Sequence, residues 1–120
     1  MDYRYVTHGN TSYVECLPDG GTIASEADAL DLVAACGEHL CPRLLLHASN
    51  LTPDFYNLRS GLAGAVLLKF SNYRIQAAAI LTPELAEQGR FGEMVLESNR
   101  GQQFRVFYDR ASAEEWLARI

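Results

Sequence analysis

Two glutamates in the stretch GRFGEMVLESNRG are spaced so that they could act together. Glu93 and Glu97 lie one helical turn apart, and Arg100 follows Glu97 by three residues. Side chains at these spacings share one face of a helix and can form ion pairs. Paired carboxylates beside an arginine could perform acid–base chemistry or bind a polar ligand. Because such a pattern is more often a surface polar network, we favour that interpretation over catalysis.

A second candidate is a ligand pocket around His47, which ends the short apolar run RLLLH. The carboxyl ends of strands in open α/β sheets commonly hold ligands. Asn50, Arg74 and Arg90 are polar residues that could lie near His47, so the four together form a candidate pocket for a small molecule or lipid. The alternative is a histidine that only bonds a loop carbonyl.

The segment CGEHLC places Cys36, His39 and Cys41 within six residues. Zinc sites usually combine one close cysteine pair with a second, distant pair, which this sequence lacks. We therefore expect no metal and no cofactor, with Cys36 buried in a helix. No Gly-x-Ser-x-Gly elbow or glycine-rich phosphate loop is present, so no catalytic residue is assigned. The odd count of three cysteines, Cys16 included, is typical of free thiols in a cytoplasmic protein.

Alternating and apolar runs predict the elements that would position these residues. Strands are expected at 3–7, 12–17, 43–47, 74–80 and 104–108, the first two forming a hairpin. Helices are expected at 25–36 with Gly37 as C-cap, from Thr52 to Asn72, from Thr82 to Gly89, at 91–99 and at 111–120. The order β-β-α-β-α-β-α-β-α predicts a single α/β domain over residues 1–120. Its mixed sheet would be mostly parallel after the hairpin.

The helix predicted from Thr52 has a second face opposite its core face. At about 100° per residue, that face is small and partly apolar, where a solvated face would carry lysine and glutamate. With the adjacent Arg59, it consists of Tyr56, Ser60, Ala63, Gly64 and Leu67. We expect a homodimer contact or a partner protein there. The alternative is that neighbouring loops cover these side chains.

Composition excludes several classes of protein. The chain has 120 residues, 48% of them hydrophobic, which is enough for a real core. A net charge of -5 argues against nucleic acid or an anionic membrane as the partner. The longest apolar stretch, Leu62 to Phe70, is too short to cross a bilayer, and the first ten residues lack the apolar region of a secretory signal.

Three stretches resemble a family of small bacterial proteins described as domain of unknown function 4180. They are SEADALDLVAACGE, FYNLRSGLAGAVLLKFSNYRI and QGRFGEMVLESNRGQQFRVF. More distantly, SGLAGAVL and the closing FRVFYDRASAEEWL resemble the STAS fold of anti-sigma-factor antagonists. The resemblance implies architecture and assigns no activity.

Ser60 occupies the place where the distant resemblance would put a phosphorylated serine. In regulatory STAS domains that serine starts its helix and usually follows an aspartate. Here Arg59 precedes Ser60, and Ser60 would lie two turns inside a helix that starts at Thr52. A phosphate gains little from the helix dipole so far from the first turn. These signals favour a structural role for Ser60.

Three functions remain open. The first is a non-enzymatic regulatory or protein-interaction module that uses the Tyr56–Leu67 face. The second is a small-molecule or lipid-binding domain with its pocket near His47 and Arg74. The third, which we favour least, is an enzyme that uses Glu93, Glu97 or His47.

Overall fold

The computed structural model describes residues 1–119 and contains five strands and six α-helices. The strands are β1 (Tyr3–His8), β2 (Thr11–Cys16), β3 (Arg43–His47), β4 (Gln76–Ile80) and β5 (Phe104–Phe107). The helices are α1 (Glu26–Glu38), α2 (Pro53–Tyr56), α3 (Leu62–Asn72), α4 (Pro83–Ala86), α5 (Gly89–Ser98) and α6 (Arg110–Arg119). Single 3-10 turns lie at Ala48–Asn50 and Leu58–Ser60.

The strands form one mixed sheet in the order β1-β2-β3-β4-β5. β1 and β2 are antiparallel and are joined by a two-residue turn, in which Gly9 has a φ of +62°. The other neighbours are parallel, because a helical connection returns the chain to the same edge of the sheet each time. The predicted α/β class and mixed sheet are therefore confirmed. The likeness to the STAS topology stays a prediction.

The two faces of the sheet are covered unequally. α1, α3 and α5 pack on one face, where they form the larger core with side chains such as Leu44, Leu46 and Val66. α6 alone packs on the other face, where Trp116 and Leu117 lie in a smaller apolar cluster. This leaves the far end of the second face, beside β1 and β2, for polar side chains.

The helix predicted from Thr52 to Asn72 is wrong, because the chain breaks twice in that interval. α2 ends at Tyr56, and the Asn57 side chain accepts a hydrogen bond from the backbone N–H of Arg59, which starts a 3-10 turn. Gly61 then adopts a left-handed conformation with φ +79°, and α3 starts only at Leu62. The Thr-Pro-Asp start was predicted correctly, but an asparagine side chain and a left-handed glycine ended the helix within two turns.

Differences occur at several other boundaries. The prediction of a helix to Gly89 and a second one from residue 91 is wrong: α4 ends at Ala86, and Gly89 with φ +50° starts α5. α1 passes through Gly37 to Glu38, and Leu40 with φ +52° takes the left-handed position that glycine usually occupies. β4 starts two residues late, after Arg74 with φ +58°. α6 starts one residue early, where Asp109 accepts a hydrogen bond from the Ser112 N–H. Ile120, the predicted end of that helix, lies outside the described residues.

Within residues 1–119, none of the helices has both the length and the apolar character that crossing a membrane requires.

Candidate functional site

A buried carboxylate lies on the sheet face that α6 covers. Glu15 of β2 is fully buried, and the sheet register places it between Arg4 of β1 and Leu45 of β3. His47 lies two residues beyond Leu45 and so projects to the same face. Arg110, the first residue of α6, reaches the same carboxylate. The fold therefore brings together groups that are far apart in the sequence.

Both oxygens of Glu15 are bound by cationic or polar donors. Arg4 donates from Nε to Oε1 at 3.0 Å, and its Nη2 lies 3.0 Å from the same oxygen. The Nε2 atom of His47 lies 2.6 Å from Oε2, which also accepts a hydrogen bond from Arg110. Burial raises the pKa of Glu15, but the hydrogen bonds from Arg110, His47 and Arg4 outweigh burial and lower the pKa to about 2. An ionised carboxylate only accepts hydrogen bonds, so Nε2 of His47 carries the proton.

A second row of polar contacts continues from Arg110. Arg110 also donates to the Tyr13 hydroxyl at 2.9 Å, and that hydroxyl donates to Glu114 on the next turn of α6. His8 lies 3.8 Å from the other oxygen of Glu114. Burial, and then the bond to Glu114, raise the pKa of Tyr13 to about 12. We call these residues the Glu15 cluster: Arg4, His8, Tyr13, Glu15, His47, Arg110 and Glu114. Their contacts fasten α6 to the β1–β2 hairpin.

The candidate pocket around His47 does not form as one site. Asn50 is buried, and its side chain makes hydrogen bonds to the backbone. It accepts one from the His47 N–H and donates to the carbonyls of Leu17 and Gly21. Arg74 is exposed at the opposite edge of the sheet, before β4. Arg90 lies in the first turn of α5. The four predicted residues are therefore divided among the Glu15 cluster, a loop and two separate surfaces.

A separate cavity lies beyond the carboxyl ends of β3 and β4. It has a volume of about 680 Å³ and lies between the segment that follows β3 and the α4–α5 segment that follows β4. We call it the edge cavity; it is lined by Leu51, Pro53, Tyr56, Asn57, Leu58, Arg59, Leu85, Gln88, Gly89, Arg90 and Phe91. Its size and its mainly apolar lining are those of a small-molecule site.

Two aromatic residues, Tyr56 and Phe91, contribute to the cavity wall. Tyr56 and Phe91 meet edge to face with their ring centroids 5.0 Å apart. The Tyr56 hydroxyl donates to the Ala48 carbonyl at 3.1 Å, and burial raises the pKa of Tyr56 to about 12. Tyr56 is therefore neutral at physiological pH and contributes its ring to the wall.

The predicted partner face is divided by the break in the helix. Ala63 lies on the buried side of α3, which contradicts its expected outward position. Leu67 is half-buried against the core. Tyr56 and Arg59 line the edge cavity. Gly64 remains exposed on α3. These residues do not form one continuous surface.

Ser60 lies just before α3, so the expectation that it lies two turns inside a helix is wrong. Its hydroxyl donates to the Asp54 carbonyl and accepts from the Leu62 N–H. It therefore links α2 to the first turn of α3.

The Glu93–Glu97 pair faces solvent. Glu97 and Arg100 form an ion pair at 3.8 Å with both side chains about 80% exposed. Glu93 is exposed and lines a smaller cavity of about 350 Å³ together with Glu87 and Tyr108. The two glutamates are not held in a common cleft, so they lack the fixed geometry that acid–base catalysis needs.

The cysteines are buried free thiols. Burial raises the pKa of Cys16 to about 11 and of Cys36 to about 12. His39 stacks on the Tyr5 ring at 4.6 Å instead of facing the two nearby cysteines. Among residues 1–119, no group of three or more His, Cys, Asp and Glu side chains could hold a metal ion.

Comparison with known proteins gives one match. The family model described as "Domain of unknown function (DUF4180)" matches residues 8–117. The chain belongs to the DUF4180 family. No curated protein and no solved structure is similar enough to count as a match.

The DUF4180 match covers both regions described above. It includes the whole lining of the edge cavity and all of the Glu15 cluster except Arg4. Membership confirms the resemblance to the DUF4180 family drawn from the sequence and assigns no activity.

Sequence reasoning missed Glu15, and it placed Arg59 on another surface. The signal for Glu15 was a charged residue within the alternating strand TSYVEC, whose partners lie 32 and 95 residues away.

Proposed function

We propose that this DUF4180 protein is a non-enzymatic module that binds a small, largely apolar molecule in the edge cavity. The single observation that carries the proposal is the cavity itself: about 680 Å³, at the carboxyl edge of two parallel strands, and walled by aromatic and aliphatic side chains. The segments that follow β3 and β4 would contact the ligand, while the sheet holds these segments in place.

The chemistry of the lining supports binding rather than catalysis. In the part of the chain that the structure describes, the cavity is lined by no His, Cys, Asp, Glu or Ser side chain. The Tyr56 hydroxyl is engaged by Ala48 and does not ionise at physiological pH. The cavity therefore offers no nucleophile and no general base.

Calorimetric titration with octanol and with octanoate tests the proposal. We expect the native protein to bind at least one of these probes, and Leu58→Trp to bind neither, because the larger ring fills the cavity from its own wall. Leu68→Trp is the matched control, since Leu68 is exposed on α3 outside the cavity. A native protein that binds neither of these probes nor octyl phosphate, or a Leu58→Trp variant that binds as tightly as native, contradicts the proposal.

The protein-interaction function remains a proposal with less support. The predicted face is split between the edge cavity, the core and the surface of α3, so an interface there would be small and discontinuous. Light-scattering mass over a concentration series, on the native chain and on Leu67→Glu, tests it. A dimer that the substitution abolishes supports a contact through α3. A monomer in both cases removes the homodimer.

A further inference from the structure

The edge cavity, on which the proposed function rests, is asymmetric in charge. Two arginines line it from different elements: Arg59 in the 3-10 turn after α2, and Arg90 in the first turn of α5. None of the lining residues within the described part of the chain is acidic. The site therefore carries positive charge in a chain whose net charge is -5.

Among the described residues, these two arginines differ from most others in having no protein partner. Most other arginines bind a carboxylate, a carbonyl or an aromatic ring: Arg4, Arg43, Arg100, Arg105, Arg110 and Arg119. Within residues 1–119, the guanidinium groups of Arg59 and Arg90 make neither an ion pair nor a hydrogen bond. Arg74 is also unpaired, but it lies at the opposite edge of the sheet. Two free guanidinium forks beside one cavity are suited to a carboxylate or phosphate.

The start of α5 adds to this charge. The chain enters α5 through Gly89, and three of its first residues, Gly89, Arg90 and Phe91, line the cavity. Gln88, which precedes the helix, makes no side-chain capping bond, and the first turn holds no acidic residue. The positive end of the helix dipole therefore adds to the positive potential of Arg90 on this side of the cavity.

The remaining wall requires an apolar group. Tyr56, Leu58 and Leu85 are half-buried and leave part of their apolar surface exposed, whereas Leu51 and Phe91 are almost fully buried. A ligand that is anionic throughout would leave this apolar surface uncovered. A ligand with an anionic head and an apolar chain would satisfy both parts of the cavity.

We propose that the edge cavity binds an anionic amphiphile, with a carboxylate or phosphate head bound by Arg59 and Arg90 and an apolar chain against Tyr56, Leu58 and Leu85. This names the ligand class for the proposed function. The head-group chemistry is common to fatty acids and to phosphorylated lipids.

Four probes with the same chain separate the head groups: octanoate, octyl phosphate, octanol and octylammonium. In calorimetric titrations, the tighter-binding of octanoate and octyl phosphate should bind about tenfold or more tightly than octanol. Charge-assisted hydrogen bonds to the arginines then replace the hydrogen bonds that the head group made to water. Octylammonium should bind most weakly. Whichever of octanoate and octyl phosphate binds more tightly identifies the head.

The double variant Arg59→Gln/Arg90→Gln should lose the preference for the anionic probe and still bind octanol. The control Lys69→Gln/Arg74→Gln removes the same charge away from the cavity and should keep the preference. Equal binding of octanol and both anionic probes, or an equal loss of the preference in the control, overturns the binding of an anionic head by Arg59 and Arg90 and leaves the proposed function standing. A native protein that binds none of the four probes overturns both.

Discussion

The Glu15 cluster and the edge cavity are both rich in arginine, but their arginines are used in opposite ways. In the cluster, Arg4 and Arg110 are bound to a buried carboxylate. In the cavity, Arg59 and Arg90 face a space without any acidic lining residue. The arginines of the Glu15 cluster are paired with a carboxylate inside the fold. Among the described residues, the two arginines of the cavity have no protein partner and could bind a ligand.

This difference separates stability from function. A buried charge that loses its partner is strongly destabilising, so each member of the cluster is held by the others. An exposed arginine without a partner contributes little to the stability of the fold, because water solvates it as well as a weak surface contact would. We therefore expect substitutions in the cluster to change folding, and substitutions in the cavity to change binding.

The largest effect should come from Glu15→Gln. Loss of the charge leaves Arg110, His47 and Arg4 without their shared carboxylate, and we expect a loss of about 3 kcal/mol in the free energy of unfolding. The value lies at the low end for a buried pair, because Arg4 and Arg110 are partly exposed and can reach water. Urea unfolding measures it through the midpoint at an unchanged slope. Glu97→Gln, which breaks an exposed pair, is the control and should cost less than about 0.5 kcal/mol.

The same carboxylate should control the acid stability of the protein. The pKa of Glu15 is about 2 in the fold, against an ordinary value of 4.5. As the pH falls, the unfolded chain takes up the proton first, so the stabilisation is complete above about pH 5 and is lost as the pH falls toward 2. Unfolding free energies between pH 6 and pH 2.5 should fall by a few kcal/mol in the native protein. A Glu15→Gln variant with the same pH dependence would contradict this assignment.

The smallest effect on folding should come from Arg59→Gln/Arg90→Gln. Because neither arginine has a partner within the described residues, the free energy of unfolding should stay within about 0.5 kcal/mol of native. Arg110→Gln, which removes one arginine from Glu15 and Tyr13, should cost about 1.5–3 kcal/mol and is the matched comparison. Equal costs for the two variants would remove the distinction between the two regions.

The sequence predicted local elements better than the residues that meet in space. The run RLLLH predicted β3 at its observed bounds, because an uninterrupted apolar run is buried on both faces. The helix from Thr52 was predicted too long, because its apolar spacing continues across the breaks at Asn57 and Gly61. Periodicity does not register a side chain that caps the backbone.

The two polar regions could be predicted only in part. His47 was identified as a candidate at a strand end, but its partner Glu15 depends on the register of β2 and β3 and on where α6 crosses the sheet. Arg90 was predicted to lie near His47, and Arg59 beside a continuous helix face that the break in the helix divides. Both line the edge cavity. Local sequence determines neither the register of the strands nor the place where α6 crosses the sheet. The Glu15 cluster and the edge cavity could therefore be recognised only in the folded structure.

The most direct test of the distinction between paired and free arginines is to map octanoate on the protein by two-dimensional amide NMR. We predict that chemical-shift changes concentrate at residues 56–59 and 85–91, and that the amides of Glu15, His47 and Arg110 stay unchanged. Changes that concentrate around Glu15 and Arg110 instead would contradict the account, because they would place the anion in the region whose charges are already paired.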